Sequence, residues 1–206
     1  MEPGHNPRMN PNDLTGKARI RNTALDLYAA HGEDGTSMRA IAKAAGVTVG
    51  LLVHHFGTKD GIRDAVDDLV VDYFAQAIAQ VPAEGTPQKI ATARDAAVSE
   101  MLDAHPEVVN YMRRALLEPG GTRGTLLEKF TDLTRHEVAA LRDAGVASTR
   151  RDESSQVIET TIRQVGQLFL QPMVDAMWKS LGGPDLPDTD KPVLAVGIRQ
   201  GDRHES

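Results

Sequence analysis

The side chains in this sequence most suited to chemistry are cations near one end. Lys17, Arg19, Arg21, Arg39, Lys43 and Lys59 stand against only Asp26, Glu33 and Asp34 between residues 14 and 59, a local balance of +3 in a chain whose formal net charge is −6. The remainder therefore carries −9. Phosphate binding runs on positive charge, so a basic head on an acidic body suits a nucleic-acid partner; ordinary solvated helix faces account for a +3 almost as well. Bond-making chemistry lacks its usual parts. The chain has no cysteine, which removes thiolate nucleophiles, thiolate metal sites and disulfides. Its seven histidines are scattered without ligand spacing, and G-x-S-x-G, H-E-x-x-H, P-loop and G-x-G-x-x-G motifs are all missing. His54 and His55 are adjacent, and neighbours on a helix do not face one another, so a metal pair is not expected. The reading is of a protein that binds rather than an enzyme, with no metal and no cofactor.

The elements that position these residues are helical. Residues 1–13 are rich in Pro, Asn and Gly without apolar period and read as a disordered arm, with order expected from Thr15. Ile20, Ala24, Leu27, Tyr28 and His31 share one helix face that Gly32 can close. Ser37 caps a second helix with Met38, Ile41, Ala42 and Ala45 on its apolar face, Gly46 ends it, and Thr48 caps a short third helix from Val49 to Phe56. Thr58 caps a fourth, running through Ile62, Ala65, Val66, Leu69, Val70, Tyr73, Phe74 and Ile78. Further helices are expected at about 87–104, 106–118, 124–143 and 152–181, the last kinked by Pro172. Val193 to Ile198 reads as a last helical turn or two, or as a strand-like fragment. No segment alternates at period two, so the class is all-α. The opening residues Met1-Glu2-Pro3-Gly4-His5-Asn6 lack the order of a signal peptide, and no apolar run approaches the roughly 20 residues of a membrane span, so a soluble, cytoplasmic protein without a membrane partner is expected.

Two short helices joined by about four residues, with Ala at tight positions and Gly in the turn, meet the needs of a helix-turn-helix with core residues Met38, Ile41, Ala42, Ala45, Val47, Leu52 and Phe56. A plain helical hairpin has the same spacing, and periodicity does not separate the two. The stretch DGTSMRAIAKAAGVTVGLLVHHFGTKDGI resembles the signature of the TetR family of bacterial regulators, most specifically in GVT-x-G-x-L-x-x-HF followed by Thr58-Lys59-Asp60. The resemblance covers about residues 14–75. It implies an N-terminal three-helix DNA-binding domain (14–60) and a larger helical effector-binding and dimerisation domain (61–181); the tail (182–206), shorter and more Pro-rich than the family norm, reads as flexible or partly helical. It further implies that Thr48 caps the recognition helix and touches phosphate, that Gly50 allows close backbone approach, and that His54 and His55 lie near the duplex. Lys59 and Arg39 would meet phosphate. Where the family usually has a lysine or other polar residue, a small residue and a tyrosine, this chain has Val49, Leu51 and Val53. Base reading then leans on thymine methyl contacts, on His54, and on Lys17, Arg19 and Arg21.

The resemblance also implies a homodimer on double-stranded DNA and a small, often apolar effector enclosed by the middle helices. Met101, Tyr111, Met112, Leu116, Phe130, Leu133, His136, Phe169, Met173 and Trp178 are the candidate ligand-binding residues, each equally at home as ordinary core. Repression is favoured over activation because steric blocking needs only a bound dimer. The rival reading is a helical protein-protein adaptor that has lost DNA reading, suggested by the apolar Val49, Leu51 and Val53.

Overall fold

The computed structural model describes residues 16–117, 123–182 and 188–198. The arm over 1–13 and the start at Thr15 lie outside the described residues, as do parts of the tail. Among the described residues the chain forms α1 (Gly16–His31), α2 (Met38–Ala44), α3 (Val49–Phe56), α4 (Lys59–Ala79), α5 (Pro87–Ala104), α6 (Pro106–Leu117), α7 (Arg123–Asp143) and α8 (Glu153–Gly182), then one 3-10 turn at Asp188–Asp190. No strand occurs among them, so the all-α expectation holds. The chain separates into two compact units, one ending at Leu133 and the other starting at Thr134, with α7 contributing to both.

Local chemistry explains the helix starts in the first unit. Ser37 Oγ accepts the Ala40 N–H at 3.1 Å, Thr48 Oγ1 that of Leu51 at 3.2 Å, Thr58 Oγ1 that of Gly61 at 3.1 Å and Thr86 Oγ1 that of Lys89 at 3.4 Å, each satisfying an amide the helix leaves open. Pro87 and Pro106 each open a helix, where a missing N–H costs nothing. α1 packs against α2, α3, α4 and α6, and α4 also packs on α5. The core holds Ile20, Leu25 and Tyr28 of α1, Ile41 of α2, Leu52 of α3, and Ile62, Val66, Leu69, Val70 and Tyr73 of α4, with Met112 and Leu126. Each such side chain contributes about 1.5–3 kcal/mol by leaving water. The expected α1 face is corrected in one respect: Leu25 is fully buried, whereas Leu27 is half-buried and His31 exposed. Partners on several sides widen the buried sector beyond the single stripe that periodicity suggests.

In the second unit a hydrogen bond from Thr161 to Thr134 at 3.3 Å joins α8 to α7, and Val138 and Val157 are buried. Asp152 Oδ1 accepts the Ser155 N–H at 2.7 Å and starts α8. Pro172 lies inside this unbroken helix. Residues 191–198 are neither helix nor strand, so the segment takes neither of the two forms the sequence leaves open. They run back along α8 as a strap. Lys191 pairs with Asp175 at 3.1 Å, the Gln171 side-chain amide donates to the Pro192 carbonyl at 3.2 Å and accepts from the Leu194 N–H at 2.8 Å, and Val196 covers Gly166. A Cβ at Gly166 would lie 2.9 Å from Val196, so any larger residue there would push the Val196 side chain away.

Candidate nucleic-acid interface

Thr48 is extended and caps α3, and Gly46, at φ 65°, makes the turn from α2 in a conformation that other residues rarely adopt. Behind α3 lie buried Ile41, Ala42, Ala45 and Leu52, with Met38, Val47 and Phe56 half-buried. The expected helix-turn-helix core is therefore assembled, its rim only partly covered.

At about 100° per residue, Val49, Val53, Gly50 and His54 occupy one sector of α3 and Leu51, His55, Leu52 and Phe56 the other. Exposure follows this division: Val49 is 40% and Val53 45% exposed, Gly50 and His54 are exposed, and Leu52 is fully buried. The structure places Leu51 and His55, grouped with the DNA-contacting residues on sequence alone, on the inward half of the helix. Leu51 is half-buried and packs so closely on Gly16 of α1 that a Cβ there would lie 3.1 Å from Leu51 Cδ2. His55 is half-buried, its ring edge against Phe56.

On the three helices that pack against α3, Lys17 and Arg19 of α1 and Arg39 and Lys43 of α2 are exposed, and Lys59 is half-buried as the first residue of α4. None of these five forms an ion pair with a described residue, which leaves them available to an external anion. Arg21 differs: it is half-buried, and its Nε donates to Asn22 Oδ1 at 3.5 Å. The helices flanking α3 thus carry cations, while the outward sector of α3 itself is largely apolar.

A buried polar cluster that sequence reasoning missed ties α4, which begins beside α3, to α6 and α7. Asp67 is 1% exposed; Tyr111 donates to its Oδ1 at 2.5 Å and Thr125 to its Oδ2 at 2.9 Å. Burial pushes the Asp67 carboxyl above its ordinary range, opposed by those two hydrogen bonds and by the charges of Lys129 and Arg63. Burial likewise raises the phenols of Tyr111 and Tyr28, whose rings stack with centroids 6.3 Å apart. One helical turn on, Arg114 donates to the Ala29 and Ala30 carbonyls at 3.1 and 3.2 Å and so caps the end of α1. Lys129 bridges Asp64 and Asp68 on the outer side of α4. The signal in the sequence was Asp67 itself, a carboxylate three residues before Val70 and seven before Phe74 on the apolar face.

The candidate ligand-binding residues are divided between the units. In the first, Tyr111, Met112 and Phe130 are buried, Phe130 edge-on to Phe74 at 4.7 Å, while Met101, Leu116 and Leu133 are half-buried. In the second, Phe169 and Trp178 are half-buried, and His136 and Met173 are exposed. Among the described residues no three His, Asp or Glu side chains converge as a metal site, and no helix is long and apolar enough to cross a membrane.

The profile of the bacterial regulatory proteins of the tetR family matches residues 20–66, which span α1 to α3 and the start of α4. The chain is 33% identical over 140 residues to the HTH-type transcriptional regulatory protein RaaS of Mycobacterium tuberculosis, a match covering 68% of this chain and 63% of that protein. It is 34% identical over 127 residues to an HTH-type transcriptional repressor of the same species, covering 62% of this chain and 57% of the relative. The match thus spans less than two thirds of these two relatives. With the HTH-type transcriptional repressor KstR2 of Rhodococcus jostii the identity is 27% over 189 residues, 86% of this chain and 88% of that one. A tetR family transcription regulator from Shewanella sp. PV-4 shares the fold at a TM-score of 0.62 and 22% identity, covering 82% of this chain and 90% of the other. Helix-turn-helix, matched segment and shared fold agree: residues 20–66 form the N-terminal DNA-binding domain of the tetR family of bacterial regulatory proteins, in a chain with the fold of that family.

Proposed function

We propose that the chain is a transcriptional repressor that binds operator DNA as a homodimer through α3 and releases it when a small effector enters the helical body. It is a regulator, not an enzyme. The observation that carries this reading is the outward sector of α3, capped by Thr48, with Lys17, Arg19, Arg39, Lys43 and Lys59 on the helices that pack against α3, cations that form no ion pair with a described residue. A short helix with its N-terminal residues presented and phosphate-neutralising side chains on either flank is what major-groove docking requires. The relatives' printed names support repression.

The homodimer is supported by α8, where Ile158, Ile162, Leu170, Met173, Met177 and Leu181 are all more than two fifths exposed along one helix. A stripe of that length calls for a partner, and a two-fold dimer would place two reading helices in successive major grooves about 34–36 Å apart. The effector is a small apolar molecule; adaptable Met101 and Met112, with aromatic Tyr111 and Phe130, supply the kind of lining it needs.

The exposed Val49 and Val53 favour one second reading, a helical adaptor whose α3 docks on protein. A gel shift on the DNA upstream of the chain's own coding sequence separates the two. A sequence-selective shift at low salt that weakens steeply as salt rises supports the repressor; no selective shift at any salt overturns it.

A further inference from the structure

We infer that α3 selects its operator through the C5-methyl groups of pyrimidines, with Val49 and Val53 as the reading residues. This rests on the DNA-binding reading above and names what that surface recognises. The outward sector contains two exposed valines four residues apart, one bare glycine, and a single hydrogen-bonding side chain, His54. A valine set against the polar edge of a base would bury donors and acceptors without partners. The major groove offers one apolar feature, the methyl group on C5 of thymine, and a valine gains only there. Four residues of helix rise about 6 Å, so the two valines reach methyls on pyrimidines one or two base-pair steps apart.

Gly50 supplies an independent observation. Glycine is the poorest helix former after proline, so an internal glycine in an eight-residue helix needs a reason. Packing among the described residues provides none. A Cβ at Gly50 would meet only Thr48 Oγ1, at an ordinary 3.8 Å, and its φ is not positive. Elsewhere the reason is internal: at Gly61 a Cβ would fall 2.1 Å from the Phe56 carbonyl oxygen. At Gly50 the space is kept clear for something outside the chain, between the two valines, which is what close approach to base edges demands. 5-Methylcytosine carries the same methyl at the same position, and the two sources are separable by experiment.

The test begins by selecting duplexes from a randomised pool with the full-length protein at low salt. Each thymine of the selected site is then replaced singly by deoxyuridine, which removes the methyl and keeps every hydrogen-bonding group. Loss of one buried methyl is worth about fourfold in affinity, so one or two replacements per half-site weaken binding by about that factor. With Val49→Ala or Val53→Ala, exposed positions where truncation leaves the fold intact, sensitivity at the corresponding thymine disappears. Where a contacted position holds cytosine, 5-methylation tightens binding by about fourfold for the parent chain and not for the valine variants. Four results overturn the inference while DNA binding stands: deoxyuridine tolerated at every position of a thymine-containing site, deoxyuridine sensitivity unchanged in both valine variants, cytosine methylation without effect at a site lacking thymine, or tightening by methylation that persists in both valine variants. Failure to select any duplex overturns the DNA-binding reading and this inference with it.

Discussion

Replacing Tyr111 with Phe removes one oxygen from the buried cluster that joins α4, α6 and α7. The ring stays, still stacked on Tyr28, so no cavity forms and the loss isolates a single donor. That donor meets Asp67 Oδ1 at 2.5 Å inside a site where Asp67 is 1% and Tyr111 4% exposed. A hydrogen bond to a charged buried acceptor is worth about 1.5–3 kcal/mol, and Tyr111→Phe should lower unfolding free energy by that amount near neutral pH. The pH dependence has a definite sign. The Asp67 carboxyl is already raised by burial, so its contribution to stability is greatest below the ordinary carboxylate value and falls as pH rises through its folded value. Tyr111 is one of the groups opposing that rise, and its loss pushes Asp67 further up. The gap between variant and parent is therefore smallest in acid, about 1 kcal/mol for a bond to a neutral acceptor, and widens toward neutrality. Urea denaturation followed by circular dichroism from pH 4 to 7, at one protein concentration, measures it, and Asp67→Asn serves as the second background. A gap that does not change with pH, or an equal loss from Tyr111→Phe in both backgrounds, would show that Asp67 is not the partner that matters.

Other perturbations address the surfaces. Lys59→Ala and Arg39→Ala should each weaken DNA binding about equally across sequences and reduce the salt slope by about one, readable from isotherms at several salt concentrations; an unchanged slope removes that residue from the phosphate contacts. Thr48→Ala should cost about 1 kcal/mol of stability through its cap on Leu51, in addition to weakening DNA binding, whereas Thr48→Ser keeps the cap and most of the stability. Met173→Glu places a charge within the exposed apolar stripe of α8 and should shift sedimentation toward monomer with helicity retained; an unshifted profile would move the dimer surface elsewhere. Gly166→Leu should displace Val196 and expose residues 191–198 to protease earlier than in the parent.

Sequence alone was enough wherever the cause is local. Ser37, Thr48, Thr58 and Thr86 begin helices because each hydroxyl reaches an amide three residues on, and Gly46 makes the turn because its backbone permits a positive φ. Helix order, boundaries within about two residues and the resemblance of residues 14–75 to one family all follow from such short-range causes. Tertiary structure decided what depends on distant neighbours. Leu51 matches Val49 and Val53 in composition, yet it turns inward because Gly16, some 35 positions earlier, leaves room for it. Asp67 becomes a buried fastener because Tyr111 and Thr125, 44 and 58 residues later, bring donors to it. Val193 to Ile198 lie as a strap because the Gln171 amide and the space above Gly166 accept them on α8. Spacing along a chain records which side chains share a face; which face is covered, and by what, is determined only when the helices meet.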